Sequence, residues 1–96
     1  MKIEISLKSC LRPREGVEIR PLNGQAIALN MNNENYYSFD DVSYQIYQQL
    51  ITSKNIEEAV SNLELEFEAS KETLTQDTLE LATQLVQEDF LQTEIV

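Results

Sequence analysis

The stretch from Ala26 to Leu50 constrains the fold most, because the spacing of its apolar residues changes once, at Asp40. Ala26-Ile27-Ala28-Leu29-Asn30 is extended and apolar, Met31-Asn32-Asn33-Glu34-Asn35 is rich in turn formers, and Tyr36-Tyr37-Ser38-Phe39 is a second, aromatic strand. From Asp40 onward the pattern is helical, with Val42, Ile46, Tyr47 and Leu50 on one stripe. An aromatic strand that ends a very small sheet lies at an edge. Such an edge is either protected or serves as a docking site for another strand.

Upstream, Val17 and Ile19 alternate and, with Leu22 near its end, predict another strand, and Asn23-Gly24 is a strong hairpin signal because both residues accept φ > 0. Ile3, Ile5 and Leu7 alternate in the same way and predict a first strand, separated from the next by the breaker cluster Arg12-Pro13-Arg14-Glu15-Gly16. Three helices follow the sheet. The first spans Asp41 to Thr52, capped by Asp40, with a stripe of Val42, Ile46, Tyr47, Leu50 and Ile51. The second runs from Ile56 to Glu68, with Asn55 as cap, Glu58 at the capping-box position and Phe67 closing its stripe. The third begins between Ser70 and Thr73, where Thr73 and Gln76 offer a capping box, and continues to Glu88. Its inward residues are Leu74, Thr78, Leu81, Ala82, Leu85 and Val86, and Phe90-Leu91 then closes the chain as an apolar clasp. The expected fold class is α+β and winged-helix-like: a small antiparallel N-terminal sheet of about three strands, followed by three helices.

Ninety-six residues make one domain, 1–96, with 1–16 as an N-terminal extension or strand. No apolar run approaches the ~20 residues that span a bilayer, and the alternating N-terminus lacks the apolar block of a secretory signal. These features place the chain in the cytoplasm, away from membranes. The lone Cys10 agrees with a reducing compartment.

Charge is unevenly spread. Residues 1–33 carry five basic and three acidic side chains, and residues 34–96 carry two basic and fourteen acidic ones. The acidic helical part would repel phosphate backbones, which argues against nucleic acid and for a basic or mixed peptide. Catalysis finds no support either. There is no His, the commonest general base and metal ligand. Cys10 has no His to activate it, and the two glycines, Gly16 and Gly24, are turn residues rather than a phosphate loop. No carboxylate group has the offsets of a calcium loop. No catalytic residue, metal or cofactor is expected. Asp77 stands apart from the other carboxylates, because it falls one turn after Leu74 beside the core stripe of the third helix.

Taken in order, the elements resemble the PqqD-like proteins, also called RiPP recognition elements, and above all the stand-alone members of lasso-peptide clusters. The resemblance covers residues 17–91. It is carried by Ala28-Leu29-Asn30, Tyr36-Tyr37-Ser38-Phe39-Asp40, Ile46-Tyr47-Gln48-Gln49-Leu50, Asn55-Ile56-Glu57-Glu58-Ala59-Val60, Asp77-Thr78 and Phe90-Leu91. Three positions depart from the family pattern: Tyr47 where Trp is common, Thr78 for the usual Val, and Asp89 for the Gly before the final apolar pair.

The resemblance implies a non-catalytic adaptor that binds the leader segment of a ribosomally made precursor peptide. The leader would add as a strand between the third strand and the third helix, for delivery to a leader peptidase and a cyclase. On that reading Tyr36, Tyr37, Ser38 and Phe39 form the receiving edge. Tyr37 and Phe39 face the core, and Tyr36 and Ser38 face the other side. Asp77, Thr78 and Leu81 line the far wall, with Asp77 meeting a Lys or Arg and Leu81 an apolar anchor. A winged-helix transcription regulator shares the layout but needs a basic recognition helix, and the second helix has no Lys or Arg. A small structural subunit of another complex is the third alternative.

Overall fold

Asn23 and Gly24 set the register of the sheet. In the computed structural model, which describes residues 5–94, both take positive φ (52° and 83°), the conformation a two-residue hairpin turn requires. The element order is β1 (Cys10–Pro13), β2 (Val17–Leu22), β3 (Gln25–Asn30), β4 (Tyr36–Phe39), α1 (Asp41–Thr52), α2 (Ile56–Glu64), α3 (Lys71–Gln87) and β5 (Leu91–Glu94). β2, β3 and β4 form an antiparallel sheet in that order, with Ala28 between Ile19 and Tyr37 and Ala26 between Pro21 and Phe39. Small alanines on the inner face of β3 leave room for the aromatic rings of β4. Phe39 packs 5.0 Å from Tyr47 of α1, ring centre to ring centre, and Tyr37 lies 6.1 Å from Phe90.

A second, two-stranded ladder pairs β1 with β5, Leu11 opposite Thr93 and Pro13 opposite Leu91. It lies where the sequence predicts only a breaker cluster and a terminal clasp. Of the expected strand at Ile3–Leu7, residues 3 and 4 lie outside the described part, and Ile5 and Leu7 stand in coil and turn. That segment has another task. The carbonyls of Leu7 and Ser9 accept the first amides of α2, from Glu57 at 2.9 Å and Ile56 at 3.0 Å, which would otherwise lack partners.

Each helix starts at a side-chain cap. Asp40 Oδ1 accepts the Ser43 amide at 2.8 Å, and Ser43 Oγ accepts the Asp40 amide in return. Asn55 accepts the Glu58 amide, but the Glu58 carboxylate reaches the Lys54 amide rather than that of Asn55, so no reciprocal box closes. Ser70 caps α3 through the Thr73 amide, three residues before the Thr73–Gln76 box that the sequence suggests. α2 ends at Glu64 rather than Glu68, because the chain tightens there and the Glu66 and Phe67 amides both bond the Leu63 carbonyl. Among the described residues no helix is long and apolar enough to cross a membrane.

The core joins Leu11, Ala28, Phe39, Tyr47, Leu50, Ile56, Leu63, Leu85, Phe90 and Leu91, so both β-ladders share it with all three helices. All six residues expected inward on α3 are buried. On α1, Val42 is exposed instead of joining the stripe.

α3 ends in a Schellman motif. The Phe90 amide bonds the Leu85 carbonyl at 2.9 Å, the Asp89 amide bonds that of Val86, and Asp89 holds the left-handed φ of 65° that Gly normally takes. Asp89→Gly is therefore expected to stabilise the fold by about 0.5–1 kcal/mol. The ion pair lost, Arg14–Asp89 at 3.7 Å, joins half-exposed side chains and contributes little. A chemical denaturation midpoint at or below that of the parent would contradict this.

Tyr47 tests the core. It is buried and its hydroxyl has no hydrogen-bond partner among the described residues. Burial, with a smaller contribution from Tyr44, pushes its pKa from 10.0 up to about 12. Between those two values the unfolded chain releases the phenol proton while the folded chain keeps it, so stability falls as pH rises through that window. Tyr47→Phe removes this alkaline loss and the unsatisfied hydroxyl together. It is expected to be neutral or stabilising at pH 7, with a flatter denaturation midpoint from pH 10 to 12.

Candidate peptide-binding site

The sheet has two edge strands, β2 and β4, and they are not equally open. In an antiparallel ladder the N–H and C=O of alternate residues turn to opposite sides. Two bonds fix the phase here: Asn30 amide to Asn35 carbonyl, and Met31 amide to Gly16 carbonyl, each 2.9 Å. With the pairing register, Ala26, Ala28 and Asn30 bond toward β4, and Gln25, Ile27 and Leu29 bond toward β2. The outward groups of β2 then belong to Val17, Ile19 and Pro21. The Val17 amide already bonds the Arg14 carbonyl at 3.2 Å, and Pro21 has no amide. That edge is blunted in the way edge strands commonly are.

On β4 the outward groups are those of Tyr36 and Ser38. Together they offer two amides and two carbonyls, and among the described residues no strand pairs with them. Tyr36 is 69% exposed and Ser38 is exposed, while Tyr37 is half-buried and Phe39 is 1% exposed. The strand therefore keeps its inner face in the core and its backbone open along one side.

A groove of about 280 Å³ begins at Asp40, where β4 ends, and runs between α1 and α3. Val42, Ile46 and Leu81 give it apolar lining. Asp40, Asp77 and Glu80 contribute three carboxylates, and no Lys or Arg lines it. Asp40 is held below the usual carboxylate range by the Ser43 amide and hydroxyl, so it stays charged. Tyr37 is pushed above its ordinary phenol range by burial first, then by the Glu88 and Asp40 carboxylates.

Of the residues singled out in the sequence, Tyr36 and Ser38 bear the open backbone, and Asp77 and Leu81 share the groove. Phe39 belongs to the core. Thr78 does not line the groove: it is fully buried, and its Oγ1 has no hydrogen-bond partner among the described residues. Sequence reasoning missed Glu80 and Gln84, although the offsets of three and seven from Asp77 place all three on one helix face. It also assigned Asp40 to capping alone and Val42 to the core, where both contribute to the groove.

Asn30 holds the β3–β4 turn against the end of α3. It is buried; its Nδ2 donates to the Asp89 carbonyl at 2.8 Å, and its Oδ1 accepts the amides of Asn32 and Asn33. This clamp fixes β4 relative to the helix across from it.

A blunted edge, an open edge and a groove beside the open one define the class of domain that strand addition requires. The chain belongs to the family of coenzyme PQQ synthesis protein D (PqqD), whose model matches residues 25–91. Two solved structures share its fold. One is TbiB1 in complex with the TbiA(beta) leader peptide, with 19% identity, a TM-score of 0.79, and coverage of 88% of this chain and 99% of that one. The other is a lasso peptide synthetase B1 complexed with the leader peptide, with 18% identity, a TM-score of 0.78, and coverage of 86% and 98%. No curated protein matches the chain.

Proposed function

We propose that the chain is a non-catalytic cytoplasmic adaptor that binds the leader segment of a ribosomally made precursor peptide. The leader adds as a fourth strand to β4, in the cleft facing α3, and is delivered to the leader peptidase and cyclase of a lasso-peptide pathway. The observation that carries this reading is the inequality of the two sheet edges: β2 is blunted by Pro21 and the Val17–Arg14 bond, whereas Tyr36 and Ser38 present an unpaired backbone. Family membership and the two leader-complexed structural relatives support it. A transcription regulator is disfavoured, since α2 has no Lys or Arg and α3 has only Lys71.

The test is fluorescence anisotropy of a labelled leader, taken from the nearest short precursor reading frame, titrated with the protein. Saturable binding at micromolar or tighter, about −8 kcal/mol, that is lost on scrambling the leader would support the adaptor. Absence of binding would contradict it. Asp77→Lys, an exposed change on α3, is expected to weaken a basic leader roughly fivefold or more while circular dichroism stays native. Unchanged affinity would remove Asp77 from the site.

A further inference from the structure

We propose that Asn30, which touches no peptide, is a positioning residue for peptide binding: its buried side chain holds β4 and the end of α3 in the mutual alignment that an added strand needs. This rests on strand addition at β4 and names what keeps that edge ready.

Every polar group of Asn30 has a partner. Its amide donates to the Asn35 carbonyl at 2.9 Å and its carbonyl accepts the Glu34 amide at 2.8 Å, which closes the β3–β4 turn just before Tyr36. Its Oδ1 accepts the amides of Asn32 and Asn33, at 2.8 and 3.3 Å. These four bonds stay within the turn. The fifth, from Nδ2 to the Asp89 carbonyl at 2.8 Å, alone crosses to the end of α3. Asn30 is 3% exposed, so water does not compete for that bond.

The backbone is strained at both ends of this clamp. Among the described residues three non-glycine residues hold a left-handed φ, and two of them are Glu34, at 64°, and Asp89, at 65°. Glu34 leads into β4 and Asp89 follows α3, and Asn30 bonds the backbone of each. Such conformations persist where the surroundings over-determine them, and they gather at binding sites. The turn is also held from its other side. The Gly16 carbonyl accepts the Met31 amide and the Glu15 carbonyl accepts Asn32 Nδ2, both at 2.9 Å. A Cβ on Gly16 would lie 2.7 Å from that Nδ2, so the turn sits tightly against the β1–β2 connection. With the turn fixed there, the Asn30–Asp89 bond decides how α3 meets it.

Walls free to drift are aligned only part of the time, and apparent affinity falls by that fraction. Asn30→Asp isolates the crossing bond. It keeps an acceptor for the Asn32 and Asn33 amides, which favour the ionised carboxylate, and it sets an oxygen against the Asp89 carbonyl where the donor was.

Anisotropy with the labelled leader of the nearest short precursor reading frame tests this on three variants, alongside urea denaturation. Asn30→Asp is expected to bind about tenfold more weakly than the parent. Val60→Ala, a truncation in the buried face of α2, lowers the denaturation midpoint but binds as the parent does. The double variant Asn30→Asp, Asp89→Gly relieves the strain at Asp89 and recovers part of the midpoint, while its affinity stays low. Parent-like binding by folded Asn30→Asp overturns the proposal. So does affinity that returns with stability in the double variant, or an equal loss in Val60→Ala, because Asn30 is then merely structural. Each of these leaves strand addition standing. Failure of the parent itself to bind overturns both.

Discussion

Ser38→Pro is expected to weaken peptide binding sharply and to leave the fold intact. Ser38 is exposed, and its amide points away from β3 to the open side of β4, so no bond of the sheet is broken when that amide is lost. Proline is tolerated in strands at such edge positions, and the preceding Tyr37 is already extended, as proline requires of its neighbour. For an added strand the change is severe. One of two available donors disappears, and the ring occupies the line along which the partner backbone must run. The expected loss is about tenfold in affinity or more, from a hydrogen bond worth about 1 kcal/mol plus the steric exclusion. Anisotropy titrations measure the affinity, and the denaturation midpoint should stay close to the parent's. Undiminished binding by a folded Ser38→Pro variant would exclude this edge. Moved one residue, to Tyr37, proline would delete an amide that bonds β3 and would damage the sheet itself.

Phe39→Ala has the opposite signature: it is expected to destabilise the fold, and binding weakens with it. Phe39 is almost fully buried, with Tyr37 at 4.9 Å, Tyr47 at 5.0 Å and Tyr44 at 6.2 Å between ring centres. Truncating such a ring costs about 3–5 kcal/mol through lost burial and the cavity left behind, against a total of about 5–15 kcal/mol for a typical domain. Urea denaturation should show the loss directly, with near-ultraviolet circular dichroism reporting weaker aromatic packing. A shift below about 1 kcal/mol would mean that the aromatic cluster does not hold β4 in place. Adjacent residues of one four-residue strand thus divide the work: Phe39 anchors the strand and Ser38 presents it.

How much of this was legible in the sequence depended on the length of each signal. β2, β3, β4 and the start of every helix carry several matching residues and a turn or cap, so period and boundary agree. β1 and β5 are four residues each, one ends in Pro13, the other has Leu91 as its only buried residue, and they pair across some eighty positions. Nothing local announces such a ladder. Ile5 and Leu7 misled because alternation records which side chains are apolar, not whether the backbone finds a partner strand. Phe67 misled likewise, since a tight turn after Glu64 brings it to the core's flank without continuing the helix. At the site, the edge and Asp77 were legible. The groove's second half was hidden because Asp40 and Val42 already had satisfying local explanations, as cap and as core stripe. Thr78, expected both inward on α3 and along the wall, lies wholly inside.

The measurement that bears most directly on the central claim is amide hydrogen exchange by NMR, residue by residue along β2 and β4, with and without the leader. In the free protein the amides of Tyr37 and Phe39 should be protected by β3, and those of Tyr36 and Ser38 should exchange freely. Leader binding is predicted to protect Tyr36 and Ser38 and to leave Ile19, at the blunted edge of β2, unchanged. A leader that binds while Tyr36 and Ser38 keep exchanging freely would contradict strand addition at β4.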